Sequence, residues 1–194
     1  MYEYLKGKLE SIHEDYLVID VTGIGYKVSS SQNTIRNAVV DSIVKIYTQL
    51  IVKEDDMVLF GFDTRDELNM FKLLNTVSGV GPKAAVGLLN QFKSQEIAIA
   101  IISNDVSKLV RAQGIGKKTA ERIILELKDK INTNSAIAVQ AFDSDSSDLA
   151  QVIEALTSLG YNYSEAAQAV SKIKNTQASI NVLIKEALKI LAAK

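Results

Sequence analysis

A chain of 194 residues, 47% hydrophobic and 23% charged with a net charge of −1, has the composition of a globular protein rather than a disordered one. It contains no cysteine, which excludes disulfides, thiolate zinc sites and iron–sulfur clusters. No apolar run approaches the roughly 18 residues of a membrane span, and the start Met1-Tyr2-Glu3-Tyr4-Leu5-Lys6 lacks the basic and apolar regions of a signal peptide; a soluble, cytoplasmic protein with no membrane partner is expected.

The segment 1–62 carries 6 Lys+Arg and 9 Asp+Glu. Its short apolar and period-two runs read as strands: 17–21, 26–28, 43–47, 50–52 and 57–62. Turn signals separate them at Glu14-Asp15, Thr22 to Gly25, Ser29 to Asn33 and Asp41-Ser42. About five or six short strands in so few residues predict a small closed barrel, most simply of the oligonucleotide-binding type. Lys53-Glu54-Asp55-Asp56 falls between two strands and reads as a hairpin tip. A solvated turn accounts for three acids there; on a DNA-binding protein they would also repel phosphates. His13, the only histidine, lies in a polar turn with no evident partner and reads as a surface residue.

The segment 63–131 carries 11 Lys+Arg and 8 Asp+Glu, and is the only net positive part of the chain. It holds a motif that occurs twice, 35 residues apart. The copies are Gly79-Val80-Gly81-Pro82-Lys83 and Gly114-Ile115-Gly116-Lys117-Lys118, each following one helical pattern and opening another. Such a Gly-aliphatic-Gly turn between helices is the helix-hairpin-helix signature. It lets a phosphate approach the main chain at a helix start, where unpaired amides and the helix dipole favour an anion. A cation in a first turn is unfavourable by roughly 0.3–1 kcal/mol. Yet Lys83, Lys117 and Lys118 all sit in first turns, and a bound anion reverses the sign. Arg122, one turn beyond Lys118, is placed to join them. Ordinary helix corners with solvated lysines would leave the repeated violation unexplained. Pro82 suits the first position of its helix, and Asn104 or Asp105 can cap a later one.

Gly114 to Thr119 does not make a nucleotide-binding loop. The pattern requires glycine where Arg111 stands, and Ser or Thr where Lys118 follows Lys117. No ATPase site is expected.

Residues 132–147 are polar and turn-rich and read as a flexible linker. Helical periodicity returns from 148 to 194: Leu149, Val152, Ile153 and Leu156 form a stripe ending at Gly160, and Ser164 and Ser179 can cap two further helices. A three-helix bundle of this size on a tether suits an adaptor better than a catalytic domain.

The whole chain resembles the RuvA family, junction-binding subunits of the bacterial branch-migration complex. The resemblance is carried by Gly25-Tyr26, Lys53-Glu54-Asp55, Leu59-Phe60-Gly61-Phe62, both hairpin motifs through Arg122, and Leu159-Gly160-Tyr161 with Glu165-Ala166. It implies an α+β multidomain protein. An oligonucleotide-binding-type barrel spans 1–62, a tandem helix-hairpin-helix domain 63–131, a linker 132–147, and a ubiquitin-associated-like three-helix bundle 148–194. It further implies a homotetramer, or an octamer around the DNA, that holds a four-way (Holliday) junction open during recombination and repair. Gly79, Val80, Gly81, Lys83, Gly114, Ile115, Gly116, Lys117, Lys118 and Arg122 would hold the arms. Glu54 and Asp55 would form an acidic pin at the crossover. The tail would recruit the hexameric ATPase RuvB, with a RuvC-type resolvase in the same complex. No catalytic residue, metal or cofactor is implied. One departure is Gln113, where proline is common, which is expected to loosen the second turn slightly.

The competing enzyme reading, a hairpin-bearing nuclease or glycosylase accessory acting on duplex DNA, requires a metal-binding carboxylate cluster or a catalytic Lys/Asp pair. No such constellation is legible. A protein-only scaffold would leave the first-turn lysines without a reason.

Overall fold

The computed structural model describes residues 2–133, 148–161, 163–171, 173 and 179–192. Five strands, β1 (Tyr4–Ile12), β2 (Tyr16–Val21), β3 (Ile24–Ser30), β4 (Ile43–Val52) and β5 (Met57–Phe62), close into a barrel in the order β1-β2-β3-β5-β4. All neighbours are antiparallel except β3 and β5. The barrel interior holds Leu5, Leu9, Leu17, Ile19, Val28, Ile46 and Leu59, all buried. These positions follow the period of two that places alternate side chains on one face of a strand.

Three features depart from the expected strand pattern. The strand β1 is absent from it, because its inward positions are Leu5, Gly7 and Leu9 and the glycine dilutes the alternation. The runs 43–47 and 50–52 form one continuous strand, β4, with Thr48 buried between them. The stretch read as a turn at Ser29 to Asn33 instead ends β3 and starts a short helix, α1 (Gln32–Asn37). Ser31 caps that helix by accepting from the Thr34 amide.

Helix α1 fastens the barrel to the helical region. Its Asn33 side chain donates to the Leu89 carbonyl (2.6 Å), and the Gln32 amide donates to Asn90 Oδ1 (2.8 Å). Helix α2 (Arg65–Asn75) follows β5 directly, and its Phe71 lies 5.0 Å from both Phe60 and Phe62, ring centre to ring centre. At this joint Glu67 is buried, 5% exposed. Ser31 Oγ donates to its Oε1 (2.5 Å) and Thr34 Oγ1 to its Oε2 (3.0 Å). Burial, opposed by the Ser31 hydrogen bond and reinforced by the neighbouring Asp63 carboxylate, pushes the Glu67 carboxyl up to about 7. A raised folded-state value makes the native protein bind the extra proton. Its stabilisation is therefore full below about pH 4.5 and is lost as pH rises through about 7. The loss amounts to roughly 3 kcal/mol. Glu67→Gln mimics the protonated acid. Urea unfolding at pH 5 and pH 8 should show the wild type losing most of that increment relative to the variant, and parallel pH profiles would refute it.

The helical region comprises α2, α3 (Pro82–Gln91), α4 (Ser94–Ile102), α5 (Val106–Leu109) and α6 (Lys117–Thr133). Asp105, not Asn104, caps α5, accepting from the Lys108 amide. The Ser107 hydroxyl beside it holds the Asp105 carboxyl below its ordinary value. Three further helices, α7 (Asp148–Ser158), α8 (Tyr163–Ser171) and α9 (Ile180–Ala192), pack on one another. They bury Val152, Ile153, Leu156, Ala166, Ala169, Val170, Ile173, Leu183 and Ala187. The helix α7 stops at Gly160, after which the Tyr161 amide returns to the Leu156 carbonyl (3.2 Å). The helix α8 touches α4, so the tail lies against the central helices. The predicted linker lies outside the described residues from 134 onward; α6 itself runs to Thr133. Ser164, expected ahead of α8 as its cap, is the second residue of that helix. The architecture is the expected α+β one: a closed barrel, a helical hairpin region and C-terminal helices.

Candidate nucleic-acid interface

The repeated motif folds into the same turn twice. Gly79 and Gly114 have φ of +86° and +84°, a left-handed conformation that costs glycine nothing and other residues about 1 kcal/mol. One residue on, Val80 and Ile115 are 5% and 4% exposed and anchor each turn in the core. Their amides bond back to Val77 (3.0 Å) and Ala112 (3.2 Å). Gly81 and Gly116 come next, and their carbonyls accept from Ala85 (3.0 Å) and Ala120 (2.9 Å), closing the first turns of α3 and α6. Every partner in the second turn stands 35 residues after its counterpart, so the turn keeps its hydrogen bonds with Gln113 ahead of it. Helix packing alone accounts for this reproduction of geometry, because the buried aliphatic residue and the positive-φ glycine fix the path between them.

The second glycine of each copy has a different reason to be there. A Cβ built on Gly81 or Gly116 meets no protein atom within 4 Å. Gly81 has an ordinary extended backbone, φ −86° and ψ 172°. Neither internal packing nor backbone strain therefore demands glycine at these exposed positions. Bare main chain at a helix start is what a close-approaching phosphate requires. Gly81 heads α3 without a side-chain cap, and neither α3 nor α6 carries an acid in its first turn. The leading amides of both helices thus lack intrahelical acceptors and face outward. Lys83, Lys117 and Lys118 are exposed around them, and none makes an ion pair among the described residues.

Two contacts tie the hairpins together, and neither was legible in the sequence. Arg122 Nη1 donates to the carbonyl (3.2 Å) and hydroxyl (3.3 Å) of Ser78, just before the first turn, while its Nε lies 4.0 Å from Glu126. The guanidinium predicted to meet phosphate directly is thus also a brace between the two copies. The helix α3 passes so close to the second turn that a Cβ on Gly87 would sit 2.9 Å from the Gln113 carbonyl. A lone glycine inside a helical pattern marks a close approach without saying which distant atom makes it.

Glu54 and Asp55 are exposed at the tip joining β4 to β5, where the Lys53 amide donates to the Asp56 carbonyl (2.8 Å). His13 is exposed as expected, but it has partners: Ser11 Oγ at 3.0 Å and the Tyr16 ring stacked at 4.1 Å. Among the described residues no three His, Cys, Asp or Glu side chains gather as a metal site, and no helix is long and apolar enough to cross a membrane.

Comparison with known proteins accounts for the same three regions. The RuvA N-terminal domain model matches residues 1–61, a SAM-like helix-hairpin-helix tandem matches 71–129, and the RuvA C-terminal domain matches 147–192. A Holliday junction branch migration complex subunit RuvA of Acetivibrio thermocellus is 44% identical over 200 residues, covering 99% of both chains. Proteins of that name from Clostridium perfringens and Alkaliphilus oremlandii are 44% and 40% identical, covering 98% and 97% of this chain and 99% and 98% of their own. With barrel, paired hairpins and C-terminal helices in the same order, and identity of this level from end to end, the chain belongs to the RuvA family.

Proposed function

We propose that this protein binds four-way DNA junctions as the non-catalytic, DNA-holding subunit of a branch-migration complex in recombination and repair. The observation that carries the reading is the pair of identical turns with bare glycines at Gly81 and Gly116. Each offers one phosphate a helix start, and the 35-residue repeat presents two such sites tied together through Arg122 and Ser78. Gly79, Val80, Gly81, Lys83, Gly114, Ile115, Gly116, Lys117, Lys118 and Arg122 form the grip. Glu54 and Asp55 act as the acidic pin, repelling phosphates at the crossover. The functional units follow the composition boundaries: barrel 1–62, hairpin domain 63–131, linker 132–147 and adaptor 148–194. Four copies, or eight around the junction, give each arm its own grip. The adaptor engages a RuvB-type hexameric ATPase, which supplies the energy for movement, and a RuvC-type resolvase shares the complex. A chain without cysteine suits a reducing compartment such as the cytoplasm.

Mobility shift with a four-way junction and a linear duplex of equal length tests the reading; equal affinities would sink it. Gly81→Ala with Gly116→Ala should cost no more than about 2 kcal/mol of stability, the difference between Gly and Ala at two helix N-caps, since nothing lies where the methyls go. The same pair should weaken junction binding at least about tenfold by blocking phosphate approach at both helix starts. Unchanged binding would show that the glycines serve something other than DNA.

A further inference from the structure

Val52 and Met57 are the last cross-strand pair of the β4–β5 ladder, immediately below the acidic tip. They are 61% and 70% exposed. Two residues back on each strand, Leu50 and Leu59 pair on the face that points into the barrel, where Leu59 is 8% exposed. Alternation by two places Val52 and Met57 on that same face, beyond the end of the packed core. The intervening pair, Ile51 and Val58, faces the other way and packs against the helical core. The hairpin is thus held on one side, while its other side carries two apolar side chains with no core left to cover them.

An isolated exposed valine or methionine is unremarkable in itself. Two of them directly opposite each other, under Glu54, Asp55 and Asp56, restrict what can approach. The three acids repel phosphate, and the apolar pair offers no hydrogen bond to a sugar–phosphate backbone. The face of a nucleobase fits both conditions: it is uncharged, flat and apolar, and a thioether makes favourable contacts with aromatic rings. Bases at a branch point are the ones free to lose a stacking neighbour. We propose that Val52 and Met57 form an apolar foot that receives an unstacked nucleobase at the centre of the junction, while the acids above it turn the strands' phosphates away. This rests on the junction-binding reading and adds a base contact to a site otherwise described by charge alone.

Photo-methionine incorporation gives a direct test, because the chain has three methionines, at positions 1, 57 and 70, and Met70 is buried. Irradiating the full-length protein with a four-way junction should crosslink nucleotides at the branch point, and Met57→Leu should abolish those crosslinks. Val52→Thr with Met57→Gln keeps side-chain size, and should weaken junction binding about fivefold to tenfold without changing the slope of affinity against salt, since no phosphate contact is lost. Duplex affinity should stay the same. Crosslinks confined to the arms, or unaltered junction affinity, would overturn the proposal. So would a drop in solution mass for the double variant, which would make the pair a contact between copies of this chain. If the wild type itself fails to prefer junction over duplex, it is the broader reading that fails, and that result is read before any variant is made.

Discussion

Replacing Lys83, Lys117 and Lys118 together by alanine is expected to weaken junction binding by roughly two to three orders of magnitude at about 0.1 M salt. Each lysine that neutralises one phosphate releases counterions, contributing about 0.9 to the slope of log affinity against log salt; three contacts contribute about 2.7. All three side chains are exposed and make no ion pair among the described residues, so the circular dichroism spectrum and unfolding midpoint should hardly move. Removing them even eases the local helix electrostatics, because a cation in a first turn opposes the dipole. Lys108 is the internal control. It belongs to the same positive segment but lies 3.3 Å from Glu96 and over the Phe92 ring. Lys108→Ala should leave the salt slope where it is. A triple variant with an unchanged slope would remove the lysines from the interface, whatever its absolute affinity.

The largest effect on stability is expected from Gly7→Ala. A methyl there would sit 2.1 Å from the Asp20 carbonyl oxygen and 2.9 Å from its carbon, both main-chain atoms of the neighbouring strand. Because β1 pairs with β2 on one side and β4 on the other, a shift of either strand opens the barrel. A cost of roughly 3 kcal/mol is expected, at the upper end for overpacking because no flexible side chain can give way. Gly25→Ala is the comparison: its methyl would meet only Val18 Cγ1 at an ordinary 3.6 Å. It should cost less than about 1 kcal/mol. Urea unfolding of the two variants distinguishes a real close approach at Gly7 from a general intolerance of substitution in the barrel. Equal midpoints would deny that approach.

The extent to which the chain could be read in advance differs between its parts for physical reasons. The hairpins were legible because their determinants are local. A positive-φ glycine, an aliphatic anchor and a glycine at a helix start all fall within a few residues, and the second copy repeats them. The acidic tip was legible for the same reason. The first strand was not, because Gly7 is set by the Asp20 carbonyl across the ladder, and a glycine erases the alternation by which a strand is recognised. Helix α1 was hidden in a turn signal, since Ser31 serves both as its cap and as donor to Glu67, 36 residues away.

By itself the sequence determined the closed barrel, the two Gly-aliphatic-Gly turns, the one positive segment that carries them and the helical tail, because hydrophobic period and turn chemistry act over a few residues. Only the tertiary structure decided that Arg122 braces the hairpins through Ser78 and that Gly87 seats the second turn against α3. Only it buried Glu67 at the joint between barrel and helices, and left Val52 and Met57 bare beneath the acids. Each of these depends on which distant atom occupies the space beside a residue, and that is set when elements far apart in the chain pack together.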